Sequence, residues 1–470
     1  MTQAPPAPRT LAELRRAGYS SRGVREEMRA NLLVTLKEGR HIFEDMLGYD
    51  DTVIPAVENA ILCGHDLIFL GERGQGKTRM IRSLVSLLDE WMPVVAGSEI
   101  HDDPMAPVSA AGRAQVAERG DDCEIAWVHR EERYVEKLAT PDVSIADLIG
   151  DVDPVKVAEG RSLSDELTIH FGLLPRANRG IFCINELPDL TEKVQVGLFN
   201  VMEERDVQVK GYRVRLPLDV LVVASANPED YTSRGRIITP LKDRYAAQVR
   251  THYPQTRELE LAVVAQESSL PEVEGILVHP PRFMREIIGE MTQQARQSPD
   301  VNQTSGVSVR MSIANYETLA ASALRRALLI GESEAVPRVS DLAALESSTL
   351  GKLELEFAGA DQNEYEIVRG IIKRAIKRVF DELIPLEGMA SVLESFEQGW
   401  KMEVSDTMPS SEYLVGLDAI SGLRDAAAGL AGGDSPARLA SAIEFILEGL
   451  HLSNRLNKTL GSRGVLFARP

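Results

Sequence analysis

Residues 66–78 have the sequence DLIFLGERGQGKT, in which a short apolar run leads directly into a glycine-rich turn. The turn fits the pattern G-x-x-x-x-G-K-[ST] in full. Apolar residues recur at helical spacing over 79–91, so the stretch predicts a buried parallel strand, a loop and a helix. Glycines in such a loop allow backbone N–H groups to surround phosphates at the start of the helix. We therefore predict a nucleotide-binding α/β domain whose phosphate-binding residues are Gly71, Glu72, Arg73, Gly74, Gln75, Gly76, Lys77 and Thr78.

Two residues of this loop have predicted chemical roles. The Lys77 ammonium can reach the terminal phosphates, and the Thr78 hydroxyl can ligate magnesium at the N-terminus of the helix. The expected cofactors are therefore ATP and Mg²⁺. The alternative is a glycine turn that binds nothing, and the complete strand–loop–helix pattern disfavours it.

A second apolar strand ends in the sequence IFCINE, residues 181–186. Glu186 is predicted to be the catalytic base that orients and deprotonates the attacking water. Asn185 stands where an ATPase normally has an Asp on the magnesium side. Its amide oxygen can accept a hydrogen bond from a metal-bound water, but it lacks the charge that helps to hold a hard cation. We therefore expect weakened coupling to magnesium. Asp189 is an alternative carboxylate, and Pro188 makes its geometry unfavourable.

A third apolar strand lies within 218–231 and turns polar at Asn227, which can contact the γ-phosphate or the attacking water. An ordinary Asn-Pro turn at a strand end is the alternative. Asp243 and Arg244 then precede another strand-like run. Arg244 is predicted either to pair with Asp on the surface or to stabilise transition-state charge at the nucleotide of a neighbouring subunit.

The four segments GERGQGKT, IFCINE, ASANPED and TPLKDRY, in this order, resemble the motifs of the AAA+ ATPases. The resemblance is to the branch that contains magnesium chelatase I subunits and MoxR-like proteins. Its most specific part is GLLPRANRG at 172–180, which follows a segment similar to that branch's inserted hairpin. Residues 204–220 resemble the hairpin that precedes the third strand, around Gly211. The resemblance covers roughly residues 43–345.

The resemblance implies roles for these residues and adds two more, Arg310 and Tyr49. It implies that Lys77 and Thr78 bind the nucleotide and magnesium, with Asn185 on the magnesium side and Glu186 as the base. It makes Asn227 the first sensor, Arg244 the residue that acts in trans, and Arg310 the second sensor at the start of a lid helix. An ordinary first-turn Arg is the alternative for Arg310. Tyr49, in MLGYDD, replaces the Gln of a turn near the adenine.

Composition excludes several classes of function. The chain has 470 residues, 44% of them hydrophobic, and its 52 basic and 71 acidic residues give a net charge of −19. This charge repels the phosphates of nucleic acids, so we expect no nucleic acid partner. No apolar stretch reaches the length of a membrane span, and MTQAPPAPRT does not have the apolar segment of a signal peptide. Three widely spaced cysteines fit a reducing compartment. We therefore predict a cytoplasmic protein without a membrane partner.

The expected fold is a P-loop AAA+ parallel sheet flanked by helices, then an α-helical lid and an additional α-helical C-terminal domain. The predicted boundaries are 1–42 for an N-terminal tail and amphipathic helix, 43–255 for the nucleotide-binding domain with inserted hairpins, 256–355 for the lid and 356–470 for the C-terminal extension. Residues 101–122 are rich in Ala, Gly, Pro and charge, so we expect an extended or mobile loop there, followed by a strand in 122–131. Irregular spacing disfavours a metal site at Cys123 and His129.

Three functions are compatible with these motifs. The leading hypothesis is an ATP-hydrolysing ring motor of the chelatase I and MoxR type, which remodels a partner protein or inserts a cofactor or metal into it. The resemblance implies a homo-oligomer, a hexameric ring, and a partner with a von Willebrand A domain. The alternatives are a nucleotide-gated scaffold with little hydrolysis, which Asn185 favours, and a magnesium chelatase subunit proper, which the long C-terminal extension disfavours. An enhancer-binding transcription activator is disfavoured because the chain has no G-A-F-T-G-A loop.

Overall fold

The computed structural model describes residues 4–153, 155, 166–207, 216–227, 235–303, 305–355, 364–462 and 464–470. The chain divides into two compact units, Met1–His252 and Tyr253–Pro470. The first unit contains the glycine-rich loop and is built on a parallel sheet, whereas the second is mainly helical.

Five parallel strands form the central sheet of the first unit. They are Leu67–Leu70 (β1), Tyr134–Leu138 (β2), Gly180–Asn185 (β3), Val220–Ala226 (β4) and Ala247–Arg250 (β5), in the order β5-β1-β4-β3-β2. β1, β3 and β4 are buried along their whole length, because successive side chains enter two cores on opposite faces of the sheet. The register aligns Leu70 with Ala226 and Leu138 with Asn185, so the residues that follow these strands meet at one edge. The predicted parallel α/β sheet is confirmed.

Among the described residues of this unit, helices and three antiparallel strand pairs surround the sheet. The strand pairs are Trp91–Val95 with Ile125–His129, Gly150–Val152 with Ile169–Phe171, and Asp206–Val207 with Leu216–Pro217. The last two pairs lie where the inserted hairpins are expected, and Gly211 lies outside the described residues. The helices are Leu11–Arg16, Val24–Lys37, Val53–Cys63, Lys77–Ser83, Ala110–Arg119, Ile145–Ile149, Leu173–Arg176, Glu192–Gly197, Phe199–Glu203 and Thr239–Arg244.

The predicted amphipathic helix near the N-terminus is present as Val24–Lys37. Its buried residues Val24, Met28 and Leu32 recur every four positions and join the core on one face of the sheet. The backbone N–H of Val24 donates to the Asp219 carboxylate at 2.6 Å, which satisfies one of the free donors at the start of the helix. This helix therefore belongs to the packed core of the first unit.

The expectation of an extended or mobile loop at 101–122 is wrong. Residues Ala110–Arg119 form a helix, and the Ser109 side chain caps it by accepting from the backbone of Gly112. The buried Asp102 carboxylate accepts from the backbone of Val108 and Ser109 and from the Ser109 hydroxyl. This capping network lies within residues 102–112, and the composition of the segment alone does not reveal it. The strand expected in 122–131 is confirmed as Ile125–His129.

The second unit is a helical bundle with a small sheet. The sheet joins Met402–Val404, Val465–Ala468 and Asn457–Leu460, with Val465–Ala468 in the centre. The sequence predicted only helices here, because strands of three or four residues are too short to produce a clear periodicity. The strands Leu277–Val278 and Glu334–Ala335 pair in parallel. The helices are Arg257–Glu267, Arg282–Gln297, Val309–Ile330, Leu345–Leu350, Glu364–Leu383, Ala390–Glu397, Ser410–Tyr413, Leu423–Ala431 and Pro436–Leu452.

One hydrophobic core runs through the second unit, from Phe283 to Phe467. Phe445, on the helix Pro436–Leu452, stacks on Phe283 with ring centroids 4.6 Å apart. Arg338 is fully buried and donates to the backbone oxygen of Met408 and the hydroxyl of Ser410. These contacts join residues on both sides of position 355, the predicted boundary between lid and extension. The division of the chain into four segments stays a prediction.

No helix among the described residues is long and apolar enough to cross a membrane. Within the same ranges, no group of three or more His, Cys, Asp or Glu side chains is arranged to hold a metal ion by itself. Cys123 is buried with Leu11 and Val95, and burial raises the pKa of its thiol.

Candidate functional site

The candidate site lies where the carboxyl ends of the five strands meet. The glycine-rich loop follows β1 and leads into the helix Lys77–Ser83, as predicted. Gly74 and Gly76 have φ of 76° and 73°, which is the left-handed region that favours glycine. A Cβ on Gly71 would lie 1.9 Å from the Thr251 hydroxyl oxygen, so only glycine fits against the end of β5. These glycines therefore set the path of the loop.

Polar contacts complete the loop on the β5 side. The Gln75 side-chain oxygen accepts from the backbone N–H of Glu72 at 3.1 Å and from the Thr251 hydroxyl at 2.6 Å. Arg73 is exposed at the tip of the loop, and Thr78 is half-buried in the first turn of the helix. A cavity of about 380 Å³ opens beside the loop and is lined by Leu70, Gly71, Glu72, Gln75, Lys242, Arg250 and Thr251.

The Lys77 side chain is folded into the loop. It is 7% exposed, and its ammonium donates to the backbone oxygens of Gly71 and Glu72, the second at 2.9 Å. It also donates to the Asn227 side-chain oxygen at 2.7 Å. A buried ammonium needs such acceptors because its desolvation is costly. The predicted phosphate-binding cation is therefore held at the edge of the sheet, next to the predicted sensor.

Asn227 links the lysine to the predicted base. Its side-chain N–H donates to the Glu186 carboxylate at 2.7 Å, so an ammonium, an amide and a carboxylate form one connected chain. An ammonium can only donate and a carboxylate can only accept, so these two neighbours fix the orientation of the amide. Glu186 directly follows β3 with φ 56° and ψ 48°, and its backbone N–H donates to the Ser225 hydroxyl at 3.2 Å. Tertiary structure thus brings together residues that are 41 to 150 positions apart.

Asn185 is 7% exposed and contacts a residue that the sequence did not single out. Its side-chain N–H donates to the carboxylate of Glu136, which lies on the neighbouring strand β2. Its side-chain oxygen accepts from the Ser225 hydroxyl at 3.2 Å. Asp189, the alternative carboxylate, lies in the 3-10 turn Leu187–Asp189 that follows Glu186.

Glu136 is surrounded by hydrogen-bond donors. Arg82, from the helix that follows the loop, donates twice at 2.9 and 3.1 Å, and the Tyr134 hydroxyl donates at 2.9 Å. Burial raises the pKa of Glu136, but the hydrogen bonds from Arg82 and Tyr134 outweigh it and lower the pKa below its usual value. No local pattern in the sequence marks Glu136. Only the pairing of β2 with β3 places it beside Asn185.

The donor set at this edge fits magnesium. Thr78 offers a hydroxyl, Asn185 an amide oxygen and Glu136 a carboxylate, and all three are hard oxygen donors. The described residues provide no complete protein cage, so an ion here would also need phosphate oxygens, as is usual for magnesium at nucleotide sites. Thr78 and Asn185 are candidates for holding the ion or the waters bound to it, and the Glu136 carboxylate lies beside Asn185.

Tyr49, predicted to lie near the adenine, is buried beside the loop. Its hydroxyl lies 2.8 Å from the backbone oxygen of Gln75 and 2.7 Å from that of His252. Burial raises the pKa of Tyr49 well above its usual value, so the phenol stays protonated and can donate. Its contact with the adenine stays a prediction, and the observed contacts connect the loop to the end of the first unit.

The two predicted arginines lie in different units. Arg244 ends the helix Thr239–Arg244, pairs with Glu203 and lies over the ring of Phe199, with 4.5 Å between the guanidinium carbon and the ring centroid. One of the two predictions for Arg244 is an ion pair with an Asp on the surface, whereas the observed partner is Glu203. Arg310 is exposed in the first turn of Val309–Ile330 in the second unit. The roles of both residues at a nucleotide stay predictions.

Comparisons with known proteins agree with the family resemblance. The Sigma-54 interaction domain family matches residues 164–242. A magnesium-chelatase subunit ChlI from Anabaena variabilis is 28% identical over 230 residues, which cover 48% of this chain and 62% of the relative. The magnesium-chelatase 38 kDa subunit of Cereibacter sphaeroides is 29% identical over 224 residues, which cover 46% and 59%. The chain thus matches about three fifths of the length of these relatives.

Among solved structures, a complex of subunits BchI and BchD of magnesium chelatase is similar at 21% identity. It covers 74% of this chain and 97% of the matched chain, with a TM-score of 0.34, which is too low to support an argument. The sequence relatives, the parallel sheet and the complete phosphate-loop motif agree with one another. The chain therefore resembles the AAA+ ATPases and is similar in sequence to the magnesium chelatase I subunits.

Proposed function

We propose that this protein binds ATP with Mg²⁺ and hydrolyses it as a motor of the magnesium chelatase I and MoxR type. The observation that carries the proposal is the chain of hydrogen bonds from Lys77 through Asn227 to Glu186. It puts a phosphate-binding cation and a carboxylate base on either side of one amide, at the mouth of the phosphate loop. A protein that only bound nucleotide would not need the base.

The proposed chemistry divides among residues of this chain. Backbone N–H groups of the loop and Lys77 bind the phosphates, while Asn227 orients the terminal phosphate or the attacking water. Glu186 accepts the proton of that water. Bound magnesium would neutralise phosphate charge, and Thr78 and Asn185 are the residues proposed to face it. Lys77 would exchange its contacts with the loop oxygens for phosphate oxygens when nucleotide binds.

We further propose that the active form is a homo-oligomeric ring, of six subunits by family resemblance, in which Arg244 reaches the nucleotide of its neighbour. Arg244 already sits near the surface, and Glu203 balances its charge. In a ring it would leave Glu203 for the phosphates of the next subunit. Arg310 would act as the second sensor, and Tyr49 would contact the adenine side of the site.

ATP turnover would drive remodelling of a partner protein, or insertion of a metal or cofactor into it. The proposed partner carries a von Willebrand A domain, and the proposed location is the cytoplasm. A magnesium chelatase subunit proper is a narrower alternative that the sequence relatives support. The second candidate function is a nucleotide-gated scaffold with little hydrolysis, which the neutral side chain of Asn185 favours.

Steady-state ATP hydrolysis tests the proposal, measured over a range of protein and magnesium concentrations. We expect Glu186→Gln to lower kcat by about 10²- to 10⁴-fold, because it removes a general base. The matched control is Glu192→Gln, which changes an exposed carboxylate on the next helix and should keep parental turnover. If the parent binds ATP but hydrolyses it no faster than Glu186→Gln, the motor proposal is wrong and the nucleotide-gated scaffold is the better account.

The role of Arg244 needs its own pair of variants. Arg244→Ala should abolish turnover and the dependence of the rate on protein concentration, because the trans contact is lost. Glu203→Gln removes the partner of Arg244 in its own subunit and should leave turnover intact. Equal loss in both variants would mean that the intrasubunit pair matters, and the trans role would be wrong.

A further inference from the structure

The negative charge absent from Asn185 is present on the neighbouring strand. Glu136 is aligned with Cys183, and side chains alternate along a strand, so Glu136, Cys183 and Asn185 lie on the same face of the sheet. The Glu136 carboxylate accepts directly from the Asn185 side-chain N–H. An Asp at position 185 would place a carboxylate at the end of β3, next to the point where the Glu136 carboxylate of β2 lies.

This contact decides which way the amide points. A carboxylate cannot donate, so the Asn185 nitrogen must face Glu136 and its oxygen must face away from it. The oxygen accepts from the Ser225 hydroxyl on the neighbouring strand β4 at 3.2 Å and from the Cys183 thiol at 3.5 Å. A carboxylate that accepts an N–H from a metal-side ligand both orients that ligand and raises the basicity of its acceptor atom. Glu136 is therefore placed to strengthen the Asn185 oxygen as an acceptor.

We propose that Glu136 is a positioning residue that acts through Asn185, so that the two side chains together do the work of one aspartate on the magnesium side. This inference rests on the proposed function, since it assumes that ATP binds with magnesium at this edge. It explains why a neutral residue at position 185 is compatible with an ATPase site. The chain has one carboxylate at this point, and it lies on β2 instead of β3.

Arg82 and Tyr134 hold the carboxylate in place. Arg82 donates to both of its oxygens, but the Arg82 side chain is 63% exposed, so water screens the attraction between the two charges. Arg82 is four residues after Thr78, and residues at this spacing lie on one face of a helix. The same helix face thus presents the predicted magnesium ligand and the residue that anchors Glu136.

A purely structural contact between β2 and β3 would look similar, so the test must follow magnesium. We would measure the affinity of the full chain for the fluorescent analogue mant-ATP, with excess Mg²⁺ and with EDTA, and take the ratio of the two affinities. The variants are Glu136→Gln, Asn185→Asp and the swap Glu136→Gln/Asn185→Asp. The control is Glu132→Gln, an exposed carboxylate four residues earlier.

We expect Glu136→Gln to reduce the magnesium ratio by about tenfold to a hundredfold, the usual effect of losing a residue that orients a metal ligand. Affinity in EDTA should stay parental, and Glu132→Gln should behave as the parent. The swap should recover the parental ratio, because it returns one carboxylate to this point. In the swap the amide at position 136 can still donate to the carboxylate at position 185, so the magnesium ratio, and not stability, distinguishes the inference from a structural contact.

Several results would overturn the inference. A parental ratio in Glu136→Gln, or a reduced ratio that the swap does not restore, would make Glu136 a packing residue. If Glu136→Gln does not fold, the swap is the deciding variant. The inference then requires that the magnesium ratio of the swap equal that of the parent. A parent that binds mant-ATP equally with and without magnesium would refute the inference and leave nucleotide binding intact. A parent that binds no nucleotide in either condition would refute the proposed function itself.

Discussion

The fully buried ion pair between Arg133 and Glu27 is predicted to be essential to the stability of the first unit. Arg133 has no exposed surface and donates to both Glu27 carboxylate oxygens at 2.7 Å. It also donates twice to the backbone oxygen of Arg179, just before β3. The pair thus joins the N-terminal helix Val24–Lys37 to the sheet. Arg133→Met keeps much of the side-chain volume and removes all four hydrogen bonds.

The expected cost follows from what the substitution leaves behind. Glu27 stays buried and keeps one hydrogen bond, from the backbone N–H of Asp89 at 2.6 Å. Removing one partner of a buried ion pair costs about 3–5 kcal/mol of unfolding free energy, because the remaining charge is uncompensated. The exposed pair between Arg22 and Asp89 is the control, and Arg22→Met should cost less than about 1 kcal/mol.

Tryptophan fluorescence can isolate the first unit in a urea titration of the full chain. Trp91 and Trp127 lie in the first unit and Trp400 in the second, so a Trp400→Phe background removes the signal of the second unit. The double variant Glu27→Met/Arg133→Met should unfold at a higher urea concentration than Arg133→Met alone, because no unpaired charge remains. An Arg133→Met variant no less stable than Arg22→Met would refute the reasoning.

Three further predictions address other parts of the molecule. Gly71→Ala should abolish binding of mant-ATP in a fluorescence titration, because its Cβ would collide with the Thr251 side chain; parental affinity would mean that the loop can shift without loss. Burial raises the pKa of Glu444, so the folded state favours the protonated form, and the stability of the second unit should fall as pH rises from the usual glutamate value of about 4.3 through the raised pKa. Thermal melts followed by Trp400 in a Trp91→Phe/Trp127→Phe background should show this slope with Glu444 present and not with Glu444→Gln, and equal slopes would contradict it. Ser435→Ala should lower the unfolding free energy of the same unit by about 1 kcal/mol in urea titration, because Ser435 caps the helix Pro436–Leu452, and an unchanged midpoint would show that the cap contributes nothing.

The sequence alone was sufficient where local pattern and chemistry coincide. The phosphate loop has a complete motif between an apolar strand and an amphipathic helix, so its strand, turn and helix could be predicted together. The strands that end at Asn185 and near Asn227 are continuous apolar runs, which is typical of buried parallel strands. A cap at Asp434 or Ser435 and the proline in the first turn likewise predict the start of the last long helix, and the structure has Ser435 as the cap.

Tertiary structure decided which of these residues meet and which additional residues join them. The strand order β5-β1-β4-β3-β2 places Lys77, Asn227 and Glu186 in one hydrogen-bonded chain, although no local pattern specifies that order. Composition predicted a loop at 101–122, whereas the Asp102 carboxylate accepts from the backbone of Val108 and Ser109 just before the helix, a local contact that composition does not reveal. Glu136 reaches Asn185 only because β2 pairs with β3 in one register. Side-chain chemistry is local to the sequence, whereas the pairing of strands depends on burial across the whole sheet, and that is why only the fold brings the carboxylate of Glu136 to Asn185.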